Sequence, residues 1–169
     1  IDPRIELVRP RNRVALALLK GAAMDRSIQL ACESGADEIS LFKADRSNVA
    51  LSEARYDNKV RHWQKTIISA CEQSGRLFLP TFFPTSDLQT LLTENTTPYV
   101  LDMEGGPFNL MADVDRLLFI GPEGGWSDQE LEQFRLTRAQ RVSVGPNTLR
   151  AESAPGAALA ILGYLDSLE

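Results

Sequence analysis

"LLFIGPEGGWSDQEL", residues 117–131, decides how this 169-residue chain is read. The apolar run Leu117–Ile120 ends in Gly121, Pro122, Gly124 and Gly125, grouped around one acid, Glu123. Ser127 then precedes Glu130 by three positions, the capping-box spacing that opens a helix. A buried strand, a glycine turn and a capped helix form the repeating unit of an open α/β sheet, where ligands sit at the carboxyl ends of strands. A second stretch, "QRVSVGPNTLRAESA" (140–154), repeats the plan with Gly145-Pro146 between a strand and a final helix.

The same alternation recurs along the rest of the chain. Strands are expected at 13–19, 38–42, part of 77–83, 99–103, 116–121 and 140–145. Pro80 keeps the third from being wholly central. Helices are expected from Met24 to Gly35, over 57–75 with Asp57 as cap, over 86–94 with Ser86 as cap, over 127–136, and over 152–169 with Pro155 in the first turn. Residues 43–56 read as an irregular loop. This pattern predicts an α/β domain with a mostly parallel sheet covered on both faces. The arginine-bearing start, residues 1–12, reads as a connector ahead of a domain spanning 13–169.

Composition is that of a globular domain, with 43% apolar and 24% charged residues. A net charge of −5 argues against nucleic-acid binding through bulk charge, though not against a local basic patch. Cys32 and Cys71 stand far apart and His62 is the only histidine, so no metal site is expected and reduced thiols in a cytoplasmic protein are the simplest reading. No apolar run reaches membrane-spanning length.

The two glycine loops are either ordinary tight turns or places where backbone approaches a ligand. Familiar phosphate cradles do not fit. There is no G-x-x-x-x-G-K-[ST], Pro122 removes a backbone donor, and Glu123 would repel a polyphosphate. An adenine ring with a positive centre suits the loop better, and S-adenosylmethionine has both.

"FIGPEGGWSDQELE" followed by "VSVGPNTLRAESA", with "RHWQKTIISACEQSGRLFLP" upstream, resembles the RsmE family. These SPOUT-class enzymes methylate N3 of a uridine in bacterial small-subunit (16S) ribosomal RNA. The resemblance covers roughly residues 13–168. It implies a SPOUT parallel-sheet domain with a C-terminal trefoil knot, acting as a homodimer and preceded in family members by a PUA-like RNA-binding domain. It places S-adenosyl-L-methionine among Leu101, Met103, Ile120, Gly121, Gly124, Gly125, Val144, Gly145 and Leu149. Arg150 becomes the candidate for stabilising charge on the uracil carbonyls, or else a salt-bridge partner of Glu152. Glu123 and Glu152 are both candidate bases, with no choice between them. Lys20, Arg46 and Arg76 are candidate phosphate contacts with ribosomal RNA. Trp126 either stacks on a base or packs in the core. Three sites depart from the family's usual residues: Ala23 for Arg, Leu30 for Lys, and Ala151-Glu152-Ser153 for Thr-Glu-Thr. These departures keep open a catalytically silent module that binds RNA or a protein.

Overall fold

The computed structural model describes residues 11–49, 53–93, 96–110 and 114–168. Six strands form one sheet in the order β3-β2-β1-β5-β4-β6, and every pairing is parallel. In chain order the elements are β1 (Asn12–Ala17), α1 (Ala22–Glu33), β2 (Glu38–Phe42), α2 (Glu53–Gln73), β3 (Thr81–Ser86) and α3 (Leu88–Leu92). They continue with β4 (Thr97–Gly106), β5 (Arg116–Ile120), α4 (Asp128–Leu136), β6 (Gln140–Val142) and α5 (Ala154–Asp166).

The unbroken apolar runs of β1 and β5 follow from burial on both faces. Side chains alternate across a strand. Val14, Leu16, Leu118 and Ile120 therefore join the core under α1, α2 and α5. Ala15, Ala17, Leu117 and Phe119 face the opposite core with Leu91 of α3 and Phe134 of α4. On this second face Trp126 stacks on Phe42, with ring centroids 6.2 Å apart, and meets Phe134 edge-on at 4.8 Å.

Several boundaries differ from the sequence reading. Helix α2 begins at Glu53, so the end of the expected 43–56 loop is helical and Asp57 lies inside the helix instead of capping it. Helix α3 is capped by Asp87, whose carboxylate accepts from Thr90 N at 3.1 Å, whereas Ser86 closes β3. Strand β3 starts only after Pro80, and it holds Pro84 because it is an edge strand, with a partner on one side alone. Among the described residues no helix separates β4 from β5. Most of the expected connector, residues 1–10, lies outside the described residues, but Asn12 opens β1 and Arg11, just before it, bonds to the start of β5. Arg11 O accepts from Arg116 N at 2.9 Å, and Asn12 N donates to Asp37 Oδ2 at 2.9 Å.

Strand β4 carries a pronounced irregularity. It pairs with β6 at Leu101↔Val142 and again at Gly106↔Val142, so residues 102–105 bulge out between two contacts with one residue. The bulge is possible because position 105 is glycine: a Cβ there would lie 2.4 Å from the carbonyl carbon of Val142 and 2.6 Å from its nitrogen. Backbone cannot yield as a side-chain tip can. Gly105→Ala should therefore lower the urea midpoint by an amount corresponding to about 2–3 kcal/mol. Gly106→Ala, where a Cβ meets nothing within 4 Å, should not. Equal midpoints for the two variants would refute the close approach.

Cys32 of α1 and Cys71 of α2 are buried and unbridged. Burial, then the neighbouring Cys71, push the Cys32 thiol from 9.0 up to about 12. An acid held protonated in the fold stabilises the native state fully below its unfolded pKa, and that contribution is lost as pH climbs through 9 toward 12. The stability advantage of wild type over Cys32→Ala should accordingly shrink across that window in urea titrations. A constant difference from pH 8 to pH 11 would contradict this.

Candidate cofactor site

All strands run in the same direction, so the turns after β1, β2, β4, β5 and β6 emerge at one edge of the sheet. The last three enclose a cavity of about 270 Å³. Gly121, Pro122, Glu123, Gly125 and Trp126 from the turn after β5 form one wall. Leu101, Asp102 and Met103 of the β4 bulge form a second. Val142, Ser143, Val144, Asn147, Thr148 and Leu149 form the third, and Ile120, Ala151 and Ala154 complete the lining.

Local chemistry holds each wall in place. Ser127 Oγ accepts from Glu130 N at 3.1 Å and Ser127 N donates to Glu130 Oε2 at 2.8 Å, completing the expected capping box. Gly125 adopts φ 68°, a conformation that costs other residues strain. Trp126 is buried, as core packing predicts, and its Nε1 donates to Leu101 O at 3.0 Å, tying the β5 turn to the β4 bulge. A Cβ at Gly121 would stand 3.0 Å from the same indole. Ser143 N donates to Gly106 O at 2.8 Å, and Ser143 Oγ makes a compact turn with Gly145, donating to its carbonyl at 2.9 Å.

The cavity's charge is one-sided. Among the described residues its lining includes the acids Asp102 and Glu123 and no lysine or arginine. Asp102 was missed by pattern reading. It accepts from Arg141 Nη2 at 2.9 Å through Oδ2 and from Glu104 N at 2.9 Å through Oδ1. A single Asp in a mostly apolar strand carries no signal of this; it reaches the cavity wall at the start of the bulge. Glu123 is exposed on the wall. Met103 and Leu149 stand partly exposed at the mouth.

Of the residues expected around a cofactor, Leu101, Met103, Ile120, Gly121, Gly125, Val144 and Leu149 line the cavity. Gly124 and Gly145 do not. Gly124 turns outward, where its carbonyl accepts from Arg46 Nη1 at 3.1 Å. Arg150 and Glu152 flank the lining residue Ala151. The Arg150 side chain is 86% exposed, with its nearest guanidinium nitrogen 3.9 Å from the Glu152 carboxylate. Lys20 and Arg46 are exposed in the turns after β1 and β2, at the same sheet edge as the cavity. Arg76 does not join them. It precedes β3, so it lies at the opposite edge, where its Nη1 donates to Cys32 O at 2.8 Å and its Nη2 approaches Asp37 at 3.9 Å. Leu30 also has a packing role: a Cβ on Gly156 of α5 would come within 3.3 Å of it.

Known proteins resemble this chain in sequence and in fold. The chain is 30% identical to the ribosomal RNA small subunit methyltransferase E of Mycobacterium bovis, covering 95% of this chain and 65% of that protein. It is also 30% identical to the protein of the same name from Bacillus subtilis, with 92% and 66% covered. Its fold resembles a ribosomal RNA small subunit methyltransferase E from Neisseria gonorrhoeae bound to S-adenosyl methionine, with a TM-score of 0.84 at 28% identity, covering 92% of this chain and 66% of that one. Lpg2936 from Legionella pneumophila, in complex with the same cofactor, superposes with a TM-score of 0.85 at 27% identity, covering 93% and 67%. The chain thus spans about two thirds of the length of these relatives. It matches the family model for an RNA methyltransferase domain over residues 9–163 and belongs to that family.

Proposed function

We propose that this chain is the methyl-transferring domain of an enzyme that uses S-adenosyl-L-methionine to methylate N3 of a uridine in small-subunit ribosomal RNA. The observation that carries this reading is the cavity among the β4, β5 and β6 turns, apolar and acidic at once. Exposed Glu123 would repel a polyphosphate, no lysine or arginine stands among the described wall residues to bind one, and Asp102 is already paired with Arg141. A flat heteroaromatic ring joined to a sulfonium cation suits such a lining. The relatives from Neisseria gonorrhoeae and Legionella pneumophila, which hold that cofactor, support the same choice.

When bound, the cofactor supplies an electrophilic methyl group. The chain's own residues must orient the uridine, accept the N3 proton and balance the charge that develops on the base. Glu123, exposed on the cavity wall, is the better placed proton acceptor. Glu152 is half-hidden beside Arg150 and serves to hold it. Arg150 presents donors that remain charged at any working pH, so its part is to stabilise negative charge on the uracil carbonyl oxygens. Lys20 and Arg46 at the same sheet edge would meet RNA phosphates.

The finer features implied by the resemblance belong to this proposal as well: a SPOUT fold in which α5 closes a trefoil knot beside the cavity, cytoplasmic location, and a homodimer using the exposed face of α5 near Tyr164 and Leu168. About a third of each relative's own length lies outside the match, and the resemblance assigns a PUA-like RNA-binding domain to that extra length. A monomer mass by light scattering at micromolar concentration would remove the dimer from the proposal.

Calorimetry should detect S-adenosylmethionine binding and no binding of ATP. Leu149→Ala, at a partly exposed position that folding tolerates, should weaken cofactor binding about tenfold through lost apolar contact. Binding of ATP in preference would overturn the reading. Arg150→Ala should reduce methyl transfer to small-subunit RNA about 100-fold and leave cofactor affinity nearly intact, because the contact matters mainly in the transition state. Parallel loss of both would assign Arg150 to binding or folding.

A further inference from the structure

Glu130 does more than a capping residue needs to do. A capping box uses one side-chain oxygen at the third helical position, and glutamine serves as well as glutamate there. In this chain the Glu130 carboxylate is 3% exposed and both its oxygens are engaged. Oε2 accepts from Ser127 N at 2.8 Å, closing the box. Oε1 reaches 85 positions back along the chain and accepts from Asp45 N at 3.0 Å. Ser127 Oγ, which accepts from Glu130 N, also donates to the Asp45 carboxylate.

The segment gripped in this way is a tight turn. Ser47 N donates to Ala44 O at 2.9 Å, Ala44 N donates to Ser47 Oγ at 3.2 Å, and Ser47 is buried. The turn carries Arg46, whose Nη1 donates to Gly124 O at 3.1 Å. A Cβ on Gly124 would lie 3.1 Å from the Arg46 Cβ, so the glycine lets the two loops touch. The inner side of the glycine loop lines the cavity through Gly121, Pro122, Glu123 and Gly125, and Arg46 stands on its outer side. A guanidinium has five N–H donors. With Nη1 on Gly124 O and the side chain exposed, donors remain open to solvent on the outer side of the glycine loop.

We infer that Glu130 is a positioning residue: its second oxygen locks the 44–47 turn onto the glycine loop and so holds the Arg46 guanidinium where an RNA phosphate must pass to bring a base to the cavity. This rests on the methyl-transfer reading above. A carboxylate is required for it. Glutamine has one acceptor oxygen and turns N–H donors toward whichever amide it does not satisfy, so it can cap α4 or hold Asp45 N but not both. The charge is tolerated in its buried place because it sits at the positive end of α4 and accepts two backbone donors.

The test is a double-mutant cycle on the chain with small-subunit RNA, reading RNA KM, kcat and cofactor Kd for wild type, Glu130→Gln, Arg46→Ala and the pair. Glu130→Gln should raise RNA KM about tenfold, the scale of one lost contact with a charged group. Cofactor Kd should stay within about twofold, and the pair should be no worse than Arg46→Ala alone. Amide exchange at 44–47 should accelerate in Glu130→Gln while α4 keeps its protection. An unchanged KM would leave Glu130 as a cap only. Additive effects in the pair, or a loss of cofactor affinity equal to the loss for RNA, would also overturn the inference. If Glu130→Gln does not fold, Arg46→Ala at its exposed site still decides, since an unchanged RNA KM there refutes the role of the turn. A wild type that transfers no methyl group overturns the proposed function together with this inference, whereas intact transfer with an additive cycle overturns the inference alone.

Discussion

The indole of Trp126 is the contact on which the cavity depends. It belongs to the turn after β5, yet it donates to the carbonyl of Leu101 in β4 and lies against the position a side chain would take at Gly121. On its other side it stacks on Phe42 at the end of β2 and meets Phe134 of α4 edge-on. One ring therefore fixes two cavity walls against the core. Burying such a ring contributes on the order of 4–6 kcal/mol by area. That is large beside the roughly 1 kcal/mol of its single hydrogen bond. Packing supplies the stability, and the hydrogen bond supplies the direction: it sets which carbonyl of β4 faces the turn, and hence where the bulge begins.

Helix α5 is fixed in a complementary way at its two ends. Its first residue, Ala154, lines the cavity at the carboxyl edge of the sheet. Near its last turn, Asp166 pairs with both terminal nitrogens of Arg116, at 2.9 and 2.7 Å, at the start of β5 and thus at the opposite edge. Arg116 is among the most buried side chains described and also contacts Asn12 Oδ1 at 3.4 Å. A buried pair of this kind adds little net stability over apolar packing, but losing one partner strands a charge at a cost of about 3–5 kcal/mol. Its consequence is registry. A 13-residue helix is about 20 Å long. Pinning one end therefore fixes where the other presents Ala151, Glu152 and Arg150.

What could be read in the sequence was what short range determines. The apolar runs of β1 and β5, the Ser127–Glu130 box and the glycine turns after β5 and β6 all report local geometry, and each matches the structure. The misses have long-range causes. Asp102 faces the cavity because β4 meets Val142 twice, and Gly105 permits that only through a neighbour 37 positions away. Arg76 reads as a phosphate contact beside Lys20 and Arg46, but its position ahead of a parallel strand sends it to the edge away from the cavity, where backbone of α1 captures it. Gly124 and Gly125 look equivalent in sequence; one faces Arg46 and the other lines the cavity. Ser86 and Asp87 are both good capping residues, and β3 decided between them by extending through Ser86.

The net charge of −5 is a poor guide to this sheet edge. Screening in physiological salt acts over about 8 Å, so an anion approaching one edge responds to the charges there and not to the total. Parallel topology collects every strand-end turn at that edge. The acids Asp102 and Glu123 lie in the cavity wall, whereas Lys20, Arg46 and Arg150 are exposed on the surrounding turns. Arg141 is shared between Asp102 and Glu104, and among the described residues no ion pair reaches Glu123. The result is a negative interior beside scattered exposed cations, an arrangement that treats a cationic cofactor and a polyanionic strand differently within one short span. The same cations scattered over a protein of equal net charge would attract neither selectively; it is the shared direction of the strands that makes the separation possible.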